Sequence, residues 1–323
     1  MIKTTTDFYK ELLQKFPFEP TQKQHKLLDE LTQFIFDNNN RALFLLKGYA
    51  GTGKTTVIST VVNSLWRAGK KAVLLAPTGR AAKVISGYSK RQALTIHKKI
   101  YFPKKQKNGS VDFVMQTNKH TNTIFIVDEA SMISDETFGA FSKATSLLND
   151  LIEYVYQGEN CKVVFIGDTA QLPPVGSNLS PALDPKPLKQ NYYLQLKGVE
   201  LKQVLRQAAE SGILMNATQL RMQTTQEHPY IKFQLDGYPD IESITGIDLE
   251  DELSTCYSRY GEDDTVLICR SNKRANDFNQ QIRVRIKGLE EVVSTSDRLM
   301  VVKNNYHWLD EKSPIGFIAN GDM

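Results

Sequence analysis

A glycine-rich segment, Gly48-Tyr49-Ala50-Gly51-Thr52-Gly53-Lys54-Thr55-Thr56, has the residue types that bind phosphate. It fits the pattern G-x-x-x-x-G-K-[ST], in which glycines let successive backbone N–H groups converge on a phosphate chain. Lys54 is expected to reach the β- and γ-phosphates of a nucleotide, and the Thr55 hydroxyl to ligate Mg²⁺. The residues predicted to form this site are Gly48, Ala50, Gly51, Thr52, Gly53, Lys54, Thr55 and Thr56.

An acidic pair, Asp128-Glu129, ends the apolar run 123–127. Asp128 is of the type that holds Mg²⁺, usually through water, and Glu129 is of the type that polarises an attacking water. An acidic surface turn is the alternative, but it does not explain why the pair ends a fully apolar strand. A second apolar run, 162–166, leads to Asp168 and Gln171, where a polar side chain can contact the γ-phosphate.

The elements that position these groups are predicted from apolar patterns. Strands are predicted at 42–46, 72–76, 123–127, 162–166 and 192–196, with helical patterns between them. Alternating strands and helices imply right-handed crossovers and a parallel sheet, with ligands at the carboxyl ends of its strands. The predicted fold class is therefore α/β. A strand at 265–269 and a helix at 272–286 predict a second α/β unit, and 298–303 and 315–319 are β-like.

Residues 98–120 interrupt this rhythm with lysines interleaved with aromatic residues, among them Tyr101 and Phe102. Asn108-Gly109 is a strong signal for a two-residue hairpin turn. The segment is predicted to be a basic β-hairpin inserted into the parent domain. Charge for phosphates and rings for bases would suit single-strand binding, and a solvated surface loop is an equally good interpretation of these residues alone.

Gln24 also has two interpretations. It stands three residues after Thr21, in the capping-box position at the start of a predicted helix. Its amide could instead recognise the edge of an adenine, because it offers both a donor and an acceptor. The residue pattern alone favours capping.

Composition bounds the remaining possibilities. The chain has 323 residues, a formal net charge of +4 and three well-separated cysteines. The length allows two domains, the mild basicity permits a nucleic-acid partner without arguing for one, and the cysteine spacing disfavours a zinc or disulfide framework. The sequence has neither an apolar run long enough to cross a membrane nor a signal-peptide pattern at its amino terminus, so a cytoplasmic location is expected.

Four motifs together resemble a known family. They are 48–56, 76–83, Asp128-Glu129-Ala130-Ser131-Met132, and 167–175, whose sequence is Gly-Asp-Thr-Ala-Gln-Leu-Pro-Pro-Val. Their order and spacing are similar to those of superfamily 1 DNA helicases, and most closely to the RecD-like branch, which moves 5′ to 3′ on single-stranded DNA. The resemblance covers most of residues 20–210 and is weaker from 211 onward.

The resemblance implies a role for each matching residue. Gln24 becomes the adenine-recognising glutamine, Glu129 the general base, and Gln171 the γ-phosphate sensor. Arg206 would stabilise charge on the transferred phosphoryl group. ATP and Mg²⁺ are the implied cofactors, with Lys54 and Glu129 catalytic and Thr55 and Asp128 at the metal. The implied DNA contacts are Pro77, Thr78, His97, Tyr101, Phe102 and Asn272.

The resemblance also implies a domain plan of RecA-like motor units. Residues 1–210 would form the first RecA-like P-loop domain, with 98–120 as a strand-separating pin. Residues 211–290 would form part of a second RecA-like domain, and 291–323 the start of an SH3-like β insert. The later family motifs, including a second arginine finger, do not occur in these 323 residues. The chain is therefore expected to be a fragment that binds ATP and DNA but unwinds weakly.

The leading hypothesis is an ATP-dependent 5′–3′ DNA helicase or translocase module whose partner is single-stranded DNA. A nucleotide-dependent nucleic-acid clamp that does not translocate is one alternative, although it would not need Glu129. A superfamily 1 RNA helicase is another, since the distinction rests on 2′-hydroxyl contacts. A small-molecule kinase would need neither Gln171 nor the basic hairpin.

Overall fold

The computed structural model describes residues 2–105, 111–135, 146–174, 176–203, 211–223, 226–302 and 318. Compactness divides the chain into two units, one of 1–208 with 300–323 and one of 209–299. No helix among the described residues has the length and apolar character needed to span a bilayer.

The first unit is built on a six-stranded sheet in which every neighbouring pair is parallel. The α/β class and the parallel RecA-like sheet predicted from the sequence are thereby confirmed. The strands are β1 (Ala42–Gly48), β2 (Lys71–Ala76), β3 (Ala93–Thr95), β6 (Thr123–Val127), β7 (Lys162–Gly167) and β8 (Gln195–Leu201). Their order across the sheet is β3-β2-β6-β7-β1-β8.

Helices cover both faces of this sheet and enclose two apolar clusters. Alternation along β1 sends Phe44 and Leu46 into one cluster and Leu43 and Leu45 into the other, as the two-residue period of a strand requires. The helices are α1 (Thr5–Lys15), α2 (Gln22–Phe36), α3 (Lys54–Ser64), α4 (Gly79–Ser89), α5 (Ile96–Ile100), α6 (Leu147–Gln157) and α7 (Pro185–Gln190). Thr78 caps α4 by accepting a hydrogen bond from the Ala81 N–H.

The predicted strand 192–196 is corrected to 195–201. Tyr193 has φ of 53°, a left-handed conformation that a strand cannot contain. Pairing begins only where Gln195 lies opposite Ala42 of β1. The apolar residues before it therefore belong to the turn that enters the strand.

The predicted hairpin is confirmed by antiparallel pairing of β4 (Tyr101–Lys105) with β5 (Val111–Met115). Its register places Tyr101 opposite Met115 and Phe102 opposite Val114. The predicted turn Asn108-Gly109 lies outside the described residues.

The second unit contains helices α8 (Gly212–Gln223), α9 (Leu249–Tyr260) and α10 (Asn272–Gln281), the last continued by a π-helical turn, Ile282–Ile286. The predicted helix 272–286 is thus confirmed, but the predicted strand 265–269 is wrong. Val266 and Ile268 are 73% and 87% exposed, and no strand among the described residues of this unit pairs with them. Residues 298–302 are likewise irregular, and 303 and 315–317 lie outside the described residues.

Candidate functional site

The glycine-rich segment connects β1 to α3 as the sequence predicts. Gly51 and Gly53 have φ of 75° and 82°, values that glycine adopts without the strain of a Cβ atom. Thr52 is buried, and its hydroxyl donates to the Tyr49 carbonyl at 2.8 Å. The Lys54 Nζ donates to the Tyr49 carbonyl at 2.9 Å and also to that of Gly48. The loop is therefore preformed, with its ammonium group held against the loop backbone.

One cavity of about 190 Å³ brings the separate motifs together at the carboxyl ends of β1, β6 and β7. Its lining residues come from several segments between Ala50 and Gln171, so the motifs that meet here are far apart in sequence. The polar residues that line it are Lys54, Thr55, Tyr88, Asp128, Glu129, Asp168 and Gln171. Ligand sites form at such strand ends in open α/β sheets.

The acidic pair is held in a fixed orientation. Asp128 Oδ1 accepts the Glu129 N–H at 2.9 Å, and Oδ2 accepts the Tyr88 hydroxyl at 2.7 Å. Glu129 has φ of 53°, so the chain turns sharply directly after β6. Burial, and then the nearby Asp128 charge, raise the pKa of Glu129. A carboxylate with a raised pKa is a better proton acceptor once it is ionised.

Tyr88 is a site residue that the motifs did not indicate. It lies near the end of α4, and its own carbonyl accepts a hydrogen bond from the Ser59 hydroxyl of α3 at 3.0 Å. Burial, and then the Asp128 charge, raise the pKa of its hydroxyl, which keeps it a donor. The signal that could have found it is helical spacing, because Tyr88 follows the buried Ile85 by three residues on the same face.

The side chain of Gln171 is oriented by a residue outside its own motif. Its Oε1 accepts the Ser131 hydroxyl at 2.8 Å. Hydrogen bonding to Gln171 also acts on Glu129, where it partly offsets the rise in pKa. The predicted sensor is therefore linked directly to the predicted base.

Gln24 contacts both the start of its own helix and the glycine-rich loop. Its Oε1 accepts the Thr21 N–H at 2.9 Å, and its backbone N–H donates to the Thr21 hydroxyl at 3.3 Å, which completes the capping box. Its Nε2 donates to the Thr52 carbonyl at 3.3 Å. The residue thus connects α2 to the glycine-rich loop, and its role toward adenine stays a prediction.

A second groove, of about 470 Å³, adjoins the loop on the α3 side. Thr55, Thr56, Ser59 and Tyr88 line it together with Phe18, which is 69% exposed. An exposed aromatic ring beside polar hydroxyl groups is suited to a flat heterocycle with polar edges.

The predicted Mg²⁺ residues have suitable chemistry. Thr55 and Asp128 offer hard oxygen ligands in the same cavity as Lys54. Among the described residues no group of three or more His, Cys, Asp or Glu side chains could hold a metal ion by itself. Two protein oxygens suit Mg²⁺, which keeps several waters and combines one or two protein ligands with substrate phosphates.

The residues predicted to contact DNA differ in their surroundings. Pro77 and Thr78 follow β2 at the carboxyl edge of the sheet, and Thr78 begins α4. His97 lies on α5, where burial lowers its pKa. Asn272 is exposed at the start of α10, in the second unit. Arg206 lies outside the described residues.

Tyr101 is corrected from a surface contact to a core residue. It is 6% exposed, and its hydroxyl donates to Asp150 Oδ2 of α6 at 2.6 Å. Its ring packs against Phe113 of β5, so it anchors the hairpin to the domain. Phe102, the next residue, is 41% exposed because successive strand residues face opposite sides.

Residues 21–236 of the chain match the AAA domain family. The ATP-dependent RecD2 DNA helicase of Deinococcus radiodurans is 31% identical over 198 residues, covering 61% of this chain and 23% of that protein. The ATP-dependent DNA helicase dda of Enterobacteria phage T4 is 30% identical over 133 residues, covering 40% of this chain and 28% of that protein. The matched part therefore spans less than a third of each of these two relatives.

Among solved structures, the Pif1 helicase from Bacteroides in complex with ADP-AlF3 and ssDNA is 16% identical. The match covers 91% of this chain and 62% of that one, with a TM-score of 0.43.

Proposed function

Because this chain belongs to the AAA domain family and its relatives are RecD-like helicases of superfamily 1, we propose that it is the ATP-hydrolysing module of a 5′–3′ DNA helicase. The observation that carries the proposal is the single cavity shared by Lys54, Thr55, Asp128, Glu129 and Gln171. A module that only bound nucleotide would have no need of a base and a sensor beside the phosphate loop.

Binding of ATP uses groups that are already in place. The N–H groups of the glycine-rich loop and the start of α3 face the phosphates, and Lys54 exchanges its carbonyl partners for phosphate oxygens. Thr55 and Asp128 would hold Mg²⁺, which would supply charge compensation for the phosphates. The groove beside Thr56 receives the base, with Phe18 as its flat surface.

Hydrolysis then depends on Glu129 and Gln171. Glu129 accepts a proton from the water that attacks the γ-phosphate. Gln171, hydrogen-bonded to Ser131, senses whether the γ-phosphate is present. Because Ser131 lies two residues after Glu129, a movement of the Gln171 side chain would also shift the position of Glu129. Arg206 is the proposed partner for charge on the transferred group.

Single-stranded DNA is the proposed polymer substrate. Pro77 and Thr78 follow β2 at the sheet edge that also carries the nucleotide cavity. Thr78 caps α4, and Tyr88 near the end of that helix donates a hydrogen bond to Asp128. His97 and Asn272 are further proposed contacts. Phe102 is the exposed aromatic residue of the hairpin, which suits stacking against a base.

The proposal is tested by measuring binding of a fluorescent ATP analogue and single-turnover phosphate release, with and without single-stranded DNA. We expect Mg²⁺-dependent binding and phosphate release that DNA accelerates, and loss of both in Lys54→Ala. Phosphate release that survives Lys54→Ala would overturn the proposed site. DNA binding that leaves phosphate release unchanged would favour the clamp instead.

A further inference from the structure

A groove at the base of the hairpin has the composition of an anion site. It has a volume of about 470 Å³ and is lined by Lys99, Phe102, Lys119, His120 and Tyr154. Its size lies within the roughly 300–1,000 Å³ of ligand clefts. It shares no lining residue with the nucleotide cavity.

The charges in this groove are uncompensated. Within the described part of the chain, neither Lys99 nor Lys119 forms an ion pair, and no carboxylate lines the groove. Burial, and then the positive charges of Lys99 and Lys71, lower the pKa of His120. Several cations gathered without acidic partners create a positive potential that attracts an anion.

The groove also presents uncharged groups that suit a nucleotide. Phe102 offers a ring that is 41% exposed. Tyr154 is 3% exposed, and its hydroxyl has no hydrogen-bond partner among the described residues. Charged groups for phosphate beside an aromatic face for a base are the two features that bind single strands.

The walls of the groove are rigid. The Asn118 amide donates to the carbonyls of Tyr154 and Val155, at 2.9 and 3.2 Å, and its Oδ1 accepts the His120 N–H at 2.9 Å. Gln116 donates from Nε2 to the Tyr101 carbonyl at 2.8 Å. The segment between the hairpin and β6 is thereby fixed to α6, so the groove exists before any ligand binds.

The groove lies at the opposite end of the sheet from Pro77 and Thr78, the residues predicted to contact DNA. His120 lies three residues before the start of β6, at the amino end of that strand. Pro77 and Thr78 follow the carboxyl end of β2, which is parallel to β6. We propose that this groove binds a second segment of single-stranded DNA, distinct from the segment at Pro77 and Thr78. The proposal rests on the proposed DNA-motor function.

The test compares the full chain carrying Lys99→Ala and Lys119→Ala with a control carrying Lys23→Ala and Lys26→Ala, two exposed lysines of α2. Fluorescence anisotropy gives the affinity and its salt dependence for a single-stranded 15-mer and for a fork with two single-stranded tails. We expect the groove variant to lose about tenfold in affinity for the fork, and its salt slope to fall by about 1.4, since each single-strand phosphate contact contributes about 0.7. The 15-mer should be affected less than threefold.

Fork affinity and salt slope equal to those of the control would overturn the proposal. Equal losses of affinity for the fork and the 15-mer would show that the groove binds the same DNA segment as Pro77. That result would also overturn the proposal. If the unmodified chain bound neither DNA, the proposed function itself would fail, which is a different result. Thermal unfolding of each variant verifies that the comparison concerns folded protein.

Discussion

The hydrogen bond from Tyr88 to Asp128 gives a quantitative prediction about Mg²⁺. Tyr88→Phe removes the donor at 2.7 Å and leaves the ring in place. A hydrogen bond to a charged group contributes about 1.5–3 kcal/mol. Because Asp128 is only half-buried, water replaces part of that interaction, so we take the lower bound of about 1.5 kcal/mol. This corresponds to a roughly tenfold higher Mg²⁺ concentration for half-maximal ATP binding.

The assay is a titration of Mg²⁺ against a fluorescent ATP analogue at fixed pH. Tyr193→Phe serves as the matched control, since the same hydroxyl is lost from a side chain that is 81% exposed. The expected change follows if Tyr88 orients the Asp128 carboxylate for the metal. A lower Mg²⁺ requirement in Tyr88→Phe would show instead that the hydroxyl competes with the metal for Oδ2, and would refute it.

Two further predictions concern charged groups. Glu129→Gln should retain ATP binding and lower single-turnover phosphate release by at least about 100-fold, as expected for loss of a general base; equal losses of binding and release would contradict the assignment. Lys162 is fully buried, its Nζ donates to the Phe34 and Asp37 carbonyls, and burial lowers its pKa to about 8. The folded state therefore binds fewer protons than the unfolded state between about pH 8 and 10.5, so this group contributes stability that is complete above pH 10.5 and is lost as the pH falls to 8. In urea unfolding, the free energy of unfolding relative to Lys162→Met should rise by roughly 3 kcal/mol across that range, and a difference independent of pH would contradict the prediction.

The nucleotide cavity could be predicted from sequence because its main residues are set by local structure. Lys54 follows a strand and begins a helix, and Asp128 follows the last residue of β6. In a parallel sheet all such strand ends meet at one edge, so the order of strands does not have to be known. The same reasoning placed Gln171 beyond β7.

The incorrect predictions concern an apolar run that has no neighbouring strand and an aromatic side chain whose burial depends on its tertiary partners. Residues 265–269 have the composition of a strand, but a strand forms only when another strand accepts its hydrogen bonds. Tyr101 was expected to contact DNA because it stands among the lysines and aromatic residues of the predicted hairpin. The pairing register and the partner Asp150 decide its burial, and neither is visible in the sequence of the hairpin.

The sequence motifs did not indicate the residues that support the cavity, because the partners of those residues are distant in sequence. Tyr88 and Ser131 each reach a partner 40 residues away, at Asp128 and Gln171. Their effect is to orient the acidic group and the sensor before a nucleotide arrives, which reduces the reorganisation needed at the moment of reaction. Thr78 caps the start of α4 and Tyr88 lies near its end, so a displacement of α4 by DNA would move the hydroxyl that donates to Asp128. Helix α4 is therefore the element through which DNA bound at Thr78 is proposed to act on Asp128.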